Sequence, residues 1–264
     1  MKAKKNIKSK GSLRSQVIWS VVTLGILAVL WLAVEKRSNT PLQEVVVDII
    51  DLKDKKNLIS EKAILKKCKK HLGYDLEAST VSDLDMRELE QILNSDKRIK
   101  DAQVYLDNKQ ALHIGVLQKQ PIARVQSDKT AYYLDEDGGR IPLVKGATIR
   151  VPLVTGEVGS YDAAVIRGEK QGVLKDIYTM AKHIADDKFL TSLIEQMDVD
   201  ANGEFTLAPK VGKQKLLFGK AEMIEDRFEN LKIFYKEGMP KVGWRKFEML
   251  ALNWDGQIVG VKSK

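Results

Sequence analysis

The longest apolar segment of the chain lies close to its N-terminus. It reads VIWSVVTLGILAVLWLAV from Val17 to Val34 and contains no charged residue. As a helix it spans about 27 Å, at about 1.5 Å per residue, which matches the hydrocarbon core of a membrane. Trp19 and Trp31 lie near its two ends, where indole rings prefer the headgroup region. The pattern predicts a transmembrane helix over residues 17–34.

A polar linker at residues 35–44 leads to a small unit of mixed helix and strand at residues 45–125. Its pattern predicts the order β-α-α-β-β, with two helices on one face of a three-stranded sheet. The signals are a β-branched strand at Val45–Ile50, a helix between Ser60 and Gly73, a helix begun by Thr80 or Ser82, and two alternating strands around Asp107–Lys109.

Residues 126–264 have a different pattern, dominated by short alternating strands. We predict a β-rich second unit, so that the fold class is α+β behind a single N-terminal transmembrane helix. Asn202–Gly203 and Asp255–Gly256 are typical hairpin turns. Strands are predicted at Tyr132–Leu134, Val151–Gly156, Leu193–Val199, Glu204–Ala208, Lys215–Phe218, Phe247–Trp254 and Ile258–Val261, and helices at Lys170–Ala185 and Lys220–Lys236.

The net charge of +8 is concentrated in a basic tail at residues 1–16. Nucleic-acid binding requires a basic stripe on a folded surface, so this distribution argues against it. Basic residues before an apolar run indicate a cytoplasmic N-terminus, with the bulk of the chain exported from a single-pass inner-membrane anchor. Six units of this net positive charge come from Lys2, Lys4, Lys5, Lys8, Lys10 and Arg14.

A cleaved signal peptide is the alternative interpretation of the same segment. Such a peptide usually has an apolar region of about 7–15 residues and a small-x-small cleavage site. The run here is longer, and Leu32–Lys36 is a poor cleavage sequence. We therefore favour an uncleaved anchor.

The sequence offers no recognisable catalytic or metal-binding pattern. Cys68 is the single cysteine, and its helical spacing from Ile64 predicts a buried thiol. His71, His113 and His183 are isolated, without a partner at metal-ligand spacing. Asp135–Arg140 departs from the calcium-loop pattern and predicts a β-turn. We expect no enzyme activity, metal, cofactor or small-molecule substrate, although the many carboxylates leave an anchored cell-wall hydrolase open.

Several local sequences occur in a familiar order. Together with the basic tail and the anchor, they make the chain resemble the FtsQ family of bacterial division proteins, also called DivIB. Gln118 stands where that family usually has an acid, and Ala251–Trp254 replaces an Asp-Leu-Arg-Tyr-like strand. The similar segments are Ile114–Ala123, Tyr132–Gly138, Val151–Gly156, Leu217–Lys220 and Leu250–Val259.

The resemblance implies a function that the residues alone do not. Members of the family are non-enzymatic scaffolds at the division septum, with a POTRA domain followed by a β domain. They bind the coiled-coil proteins FtsB and FtsL, which control the peptidoglycan synthase pair FtsW and FtsI, and the POTRA domain helps recruitment by upstream divisome members. By this resemblance, the FtsB-type partner adds a strand at Leu252, Trp254, Gly256, Ile258 and Val259.

Two other functions remain open from the sequence. The chain could be another membrane-anchored POTRA adaptor, acting in secretion or envelope assembly. The anchored cell-wall hydrolase is the third hypothesis, from a different functional class.

Overall fold

The computed structural model describes residues 11–38, 40–53, 56–127, 130–144, 148–254 and 256–262. Helix α1, Gly11–Ser38, contains the predicted apolar segment. Its window Ser15–Leu32 has a mean hydropathy of 1.9 and contains no buried residue, which is compatible with a single-pass anchor. Val17, Trp19 and Trp31 are all at least 60% exposed. The side chain of Val34 and the tail at residues 1–10 lie outside the described part of the chain.

The elements that follow occur in the predicted order β-α-α-β-β. The three strands form one sheet in the order β1-β3-β2. The elements are β1 Glu44–Ile50, α2 Glu61–Leu72, α3 Met86–Asn94, β2 Ile99–Leu106 and β3 Ala111–Gln118.

Helix α2 agrees closely with its sequence signals. The hydroxyl oxygen of Ser60 lies 3.4 Å from the Ala63 amide at the N-terminal end. Gly73, with φ +84°, follows the C-terminal end, where glycine adopts the left-handed conformation at little cost. Ile64 and Cys68 are buried, as their spacing predicts.

The start of helix α3 differs from the prediction. Asp85, and neither Thr80 nor Ser82, caps this helix, because its carboxylate accepts from the amides of Arg87 and Glu88 at 3.0 and 3.1 Å. Thr80 instead precedes a short 3-10 turn, where its amide and hydroxyl both donate to Asp83. Asp85 therefore satisfies the backbone amides at the start of α3, whereas the turn after Thr80 does not continue as an α-helix.

The remainder of the chain is dominated by one nine-stranded mixed sheet. Its strand order is β12-β11-β10-β9-β8-β7-β4-β5-β6. The strands are β4 Pro121–Gln126, β5 Ala131–Asp135, β6 Arg140–Pro142, β7 Leu153–Gly156, β8 Ile194–Val199, β9 Phe205–Pro209, β10 Lys215–Gly219, β11 Phe247–Trp254 and β12 Gln257–Lys262. This region is β-rich, as predicted, and strand β4 already belongs to it.

Helices connect two parallel pairs of this sheet, β7 to β8 and β10 to β11, because a parallel return needs a crossover. The third parallel pair, β4 and β7, is connected through β5 and β6. The connecting helices contribute Ile177, Met180, Leu190, Phe228 and Leu231 to the same buried core as the strands. The short helices at Ala163–Ile166 and Lys188–Leu193 were not predicted. The helical segments are α4 Ala163–Ile166, α5 Val173–Asp186, α6 Lys188–Leu193, α7 Ile224–Ile233, a π-helical turn Phe234–Gly238 and α8 Met239–Val242.

By contact density the chain divides into two compact units. The smaller comprises Met1–Asp48, Ile64–Leu93 and Gln103–Gly115. The larger comprises Ile49–Ala63, Asn94–Ala102 and Val116–Lys264.

Gln118 is a buried amide whose four hydrogen-bonding sites are used within the larger unit. Its Oε1 accepts from the amides of Leu58 and Ile59, at 2.7 and 3.2 Å. Its Nε2 donates to the Ile50 carbonyl and to Asn57 Oδ1, at 3.0 and 2.7 Å. A carboxylate could not make the last two bonds, because it has no proton to donate. The glutamine therefore suits this loop better than an acid would.

We expect Gln118→Ala to lower the free energy of unfolding by about 2–4 kcal/mol, because two buried backbone amides lose their acceptor. Gln120→Ala is the matched control, since the Gln120 side chain makes two longer bonds: it accepts from the Lys53 amide at 3.3 Å and donates to the Pro121 carbonyl at 3.2 Å. It should cost less than about 1 kcal/mol. Thermal unfolding of the full chain in detergent, followed by circular dichroism, measures both. Equal losses would contradict this role of Gln118.

Gly156 ends strand β7 at a position that excludes any side chain. Its φ is +90°, and a Cβ atom there would overlap the backbone carbonyl of Val199, its pairing partner in β8. The same carbonyl accepts from the Glu157 amide at 2.8 Å, so it cannot move without breaking that bond.

Gly156→Ala should therefore destabilise the chain by about 2–5 kcal/mol, combining backbone strain with a clash. Gly203→Ala provides the comparison, because Gly203 also has a positive φ, +76°, but open space around the added Cβ. That variant should lose only about 1–2 kcal/mol. The same unfolding measurement applies, and similar losses for both variants would rule out the clash.

Candidate protein-binding site

Strand β12 ends the nine-stranded sheet and pairs with one neighbour, β11. The pairing is antiparallel and runs from Trp254↔Gln257 to Phe247↔Lys262. Strand β11 is in turn paired in parallel with β10. One side of the β12 backbone therefore has no strand beside it within the described chain.

The other edge of the sheet is different. Strand β6 has only three residues and ends in Pro142, which has no amide proton for a further strand. Strand β12 has six residues and no proline. Short, proline-containing edges resist the addition of another strand, whereas longer edges accept one. Of the two edges, β12 is the one suited to pairing.

The predicted partner-binding residues occupy different environments in this hairpin. Leu252 is 2% exposed and belongs to the core, while Ile258 is half-buried against the same core. Trp254 is 57% exposed and Val259 is 41% exposed. Gly256 is exposed in the turn with φ +66°. Three of the five thus present accessible surface, and Asp255 beside them lies outside the described residues.

Val261 is a surface residue that the prediction left out. It is 45% exposed and lies two residues beyond Val259. Side chains two apart on a strand share a face, so the two valines form one exposed apolar strip. The alternation of Val259 and Val261 around Gly260 could have identified this strip from the sequence.

The turn at Gly219, which follows strand β10, is held by Arg227 on α7. One of its guanidinium nitrogens donates to the carbonyls of Phe218 and Lys220, at 2.9 and 2.8 Å. The Arg227 guanidinium also lies 5.5 Å from the centre of the Phe218 ring. Gly219 between them has φ +77°, and an added Cβ would come within 3.1 Å of Asn253 on β11. The segment Leu217–Lys220 therefore packs closely against β11 at Asn253 and positions this strand.

The π-helical turn Phe234–Gly238 supports the β11–β12 hairpin. Tyr235 in this turn is buried, and Gln214 Nε2 donates to its hydroxyl. Burial raises the pKa of Tyr235 to about 12. The rings of Phe234 and Phe247 lie 6.2 Å apart and join the turn to β11. These contacts hold the start of β11 in place.

The polar residues considered as candidate chemistry have structural roles. The buried Asp135 carboxylate accepts from the amides of Asp137 and Gly139, which closes the predicted turn. His113 stacks on Tyr105, and His183 stacks on Phe228. His71 contacts the Lys67 carbonyl at 3.0 Å. The described residues include no group of three or more His, Cys, Asp or Glu side chains that could hold a metal ion.

These features define a mixed α/β protein with an N-terminal apolar helix and a β-rich C-terminal region that ends in an open edge strand. The sequence profile of the family described as FtsQ/DivIB, C-terminal related, matches residues 120–261, more than half of the chain. The chain belongs to the FtsQ/DivIB family. A search of curated proteins finds no match.

The family assignment supports a role in cell division, with proteins of the divisome as partners. The family is one of non-enzymatic division scaffolds. The matched region begins one residue before β4 and extends to the penultimate residue of β12, so it covers the nine-stranded sheet and its open edge.

Proposed function

We propose that this protein is a divisome scaffold that binds FtsB- and FtsL-type partners at the septum and thereby recruits or regulates septal peptidoglycan synthesis. The observation that carries the proposal is the open edge of β12 inside the family-matched region. The scaffold acts on the FtsW/FtsI synthase pair through these partners and carries out no chemistry of its own.

The binding mode that we propose is strand addition along β12. An added strand satisfies the free amide and carbonyl groups of the edge, and these main-chain bonds supply affinity. Val259, Val261 and Trp254 supply apolar contacts beside the ladder, since all three are more than 40% exposed. Leu252 contributes indirectly, because its buried side chain holds β11 in the sheet.

We further propose that residues 45–119 form a POTRA domain and residues 120–264 the β domain. The order β-α-α-β-β and the sheet order β1-β3-β2 support the first part. The boundary is placed at 119, earlier than the sequence pattern indicated, because β4 pairs with β5 and β7 of the large sheet. The POTRA domain would serve recruitment by upstream divisome members.

The proposed topology places the basic tail in the cytoplasm and both domains outside the membrane. The apolar helix α1 then tethers the domains in the bilayer that also anchors FtsB- and FtsL-type proteins. Tethering raises the effective concentration of partners, so modest strand-addition affinities suffice.

Proline substitution on β12 tests the binding mode. Successive backbone amides of a strand point to opposite sides, so one of Ile258 and Val259 directs its amide outward. We expect one of Ile258→Pro and Val259→Pro to weaken binding of the FtsB-type protein at least about tenfold, equivalent to about 1.4 kcal/mol, while the chain stays folded. Binding is measured by biolayer interferometry with the full chain in detergent micelles.

Val259→Ile is the control for that pair, because isoleucine keeps an apolar, branched side chain and the backbone amide. Its affinity should stay within about threefold of the unsubstituted chain, equivalent to about 0.6 kcal/mol. If both proline variants fold and bind like the unsubstituted protein, the interface lies elsewhere.

Depletion of the protein tests the cellular role. A divisome scaffold is required for septum formation, so depleted cells should elongate into filaments, and a fluorescent fusion should concentrate at mid-cell. Microscopy during depletion measures both. Normal division at undetectable protein levels, or a fusion spread evenly around the envelope, would contradict the proposal.

A further inference from the structure

A groove opens at the Gly256 end of strand β12. It has a volume of about 350 Å³ and lies between the hairpin and the helical segment that ends in α8. Its apolar wall consists of Ile233, Phe234, Val242 and Ile258. Ile233 is 48% exposed, so part of this apolar wall is open to solvent.

The opposite end of β12 is basic. Lys262 pairs with Phe247 in the ladder, and Arg245 and Lys246 immediately precede Phe247. All three cations are exposed. Lys246 lies 5.9 Å above the Phe247 ring, and within the described residues no carboxylate comes within salt-bridge distance of any of the three.

The acids around this strand do not cancel these charges. Glu248 follows the cations on β11, and Glu237 lies in the groove with Lys241. At the basic end, the three exposed cations Arg245, Lys246 and Lys262 therefore outnumber the adjacent Glu248, whereas Glu237 and Lys241 lie together in the groove. The edge that is free for pairing thus runs from an apolar groove to a positively charged end.

We propose that the partner strand on β12 is two-ended, with an apolar anchor for the groove and acidic side chains for the Arg245–Lys246–Lys262 cluster. This inference rests on the proposed function, because it specifies the partner of the same edge. The occupant is one continuous segment of a divisome protein, recognised by charge complementarity at one end and by apolar burial at the other.

The length of β12 sets the spacing of the two features. Its six residues extend about 17 Å from first to last, at about 3.4 Å per residue. An added strand has the same rise, so the anchor and the nearest acid in the partner are separated by about four to six residues. The order depends on strand direction, with the acids after the anchor in a parallel strand and before it in an antiparallel one.

The cationic end is tested by charge reversal. The probes are overlapping 20-residue peptides that cover the extracytoplasmic parts of the FtsB- and FtsL-type proteins of the same organism. In the full chain in detergent micelles, Arg245→Glu with Lys246→Glu should weaken the best-binding peptide at least tenfold in 50 mM salt. The loss should fall mainly on the association rate and shrink below threefold in 500 mM salt, where charges are screened.

Two further variants guard against indirect effects. Lys262→Glu alone should reduce binding in the same salt-dependent manner, which covers the case in which the double variant misfolds. Lys66→Glu with Lys70→Glu changes two exposed lysines of α2 and gives the same change in net charge. That control should bind like the unsubstituted chain.

The apolar end is tested by the dissociation rate of the bound peptide. Ile233→Ser should raise the dissociation rate several-fold with no dependence on salt, because it removes buried apolar area and no charge. A best-binding peptide that lacks acids, or charge-reversed variants that bind like the unsubstituted chain in low salt, would overturn the inference, provided that one of the two proline variants still weakens binding at least about tenfold. Loss of the proline effect would instead overturn strand addition itself.

Discussion

The register of strand β11 is the constraint on which the C-terminal edge depends. Leu250 and Leu252 are buried in the core, and their two-residue spacing determines which face of β11 points inward. A shift of one residue would expose both leucines and bury Asn253, at a cost of several kcal/mol by ordinary burial energies. The parallel pairing of β11 with β10 and the Arg227 contacts at the turn keep the same register.

Strand β12 inherits its position from β11 but contributes little to the core. Only Ile258 packs against the main core, whereas Val259 and Val261 stay largely exposed. Such a strand is held mostly by main-chain bonds on one side, so the pairing groups on its other side are available at low structural cost. This arrangement explains how a stable sheet can keep an open edge for the partner proposed above.

Buried polar groups elsewhere in the larger unit hold loops in place and are not part of the β12 edge. The Gln118 side chain makes hydrogen bonds to both ends of the loop after β1. The Asp135 carboxylate closes the β5–β6 turn. The hydroxyl groups of Tyr161 and Tyr178 donate to the carbonyls of Gly138 and Glu136 in the same turn. The Gln118 amide makes four hydrogen bonds, and the Asp135 carboxylate accepts from two backbone amides and lies 3.2 Å from the Lys119 ammonium. Their role is to fix loops, which accounts for the acidic turn at Asp135–Asp137 without invoking a metal or a reaction.

The sequence alone determined the features that depend on local periodicity. The apolar helix, the β-α-α-β-β order, helix α2 with its stop at Gly73, and the hairpin turns all follow from spacings within a few residues. Only the tertiary structure decided which strands become neighbours, that β4 joins the large sheet, that Asp85 caps α3, and that Leu252 points inward while Trp254 stays exposed. Alternation along a strand defines two faces but does not say which face meets the core, because that choice depends on residues distant in sequence.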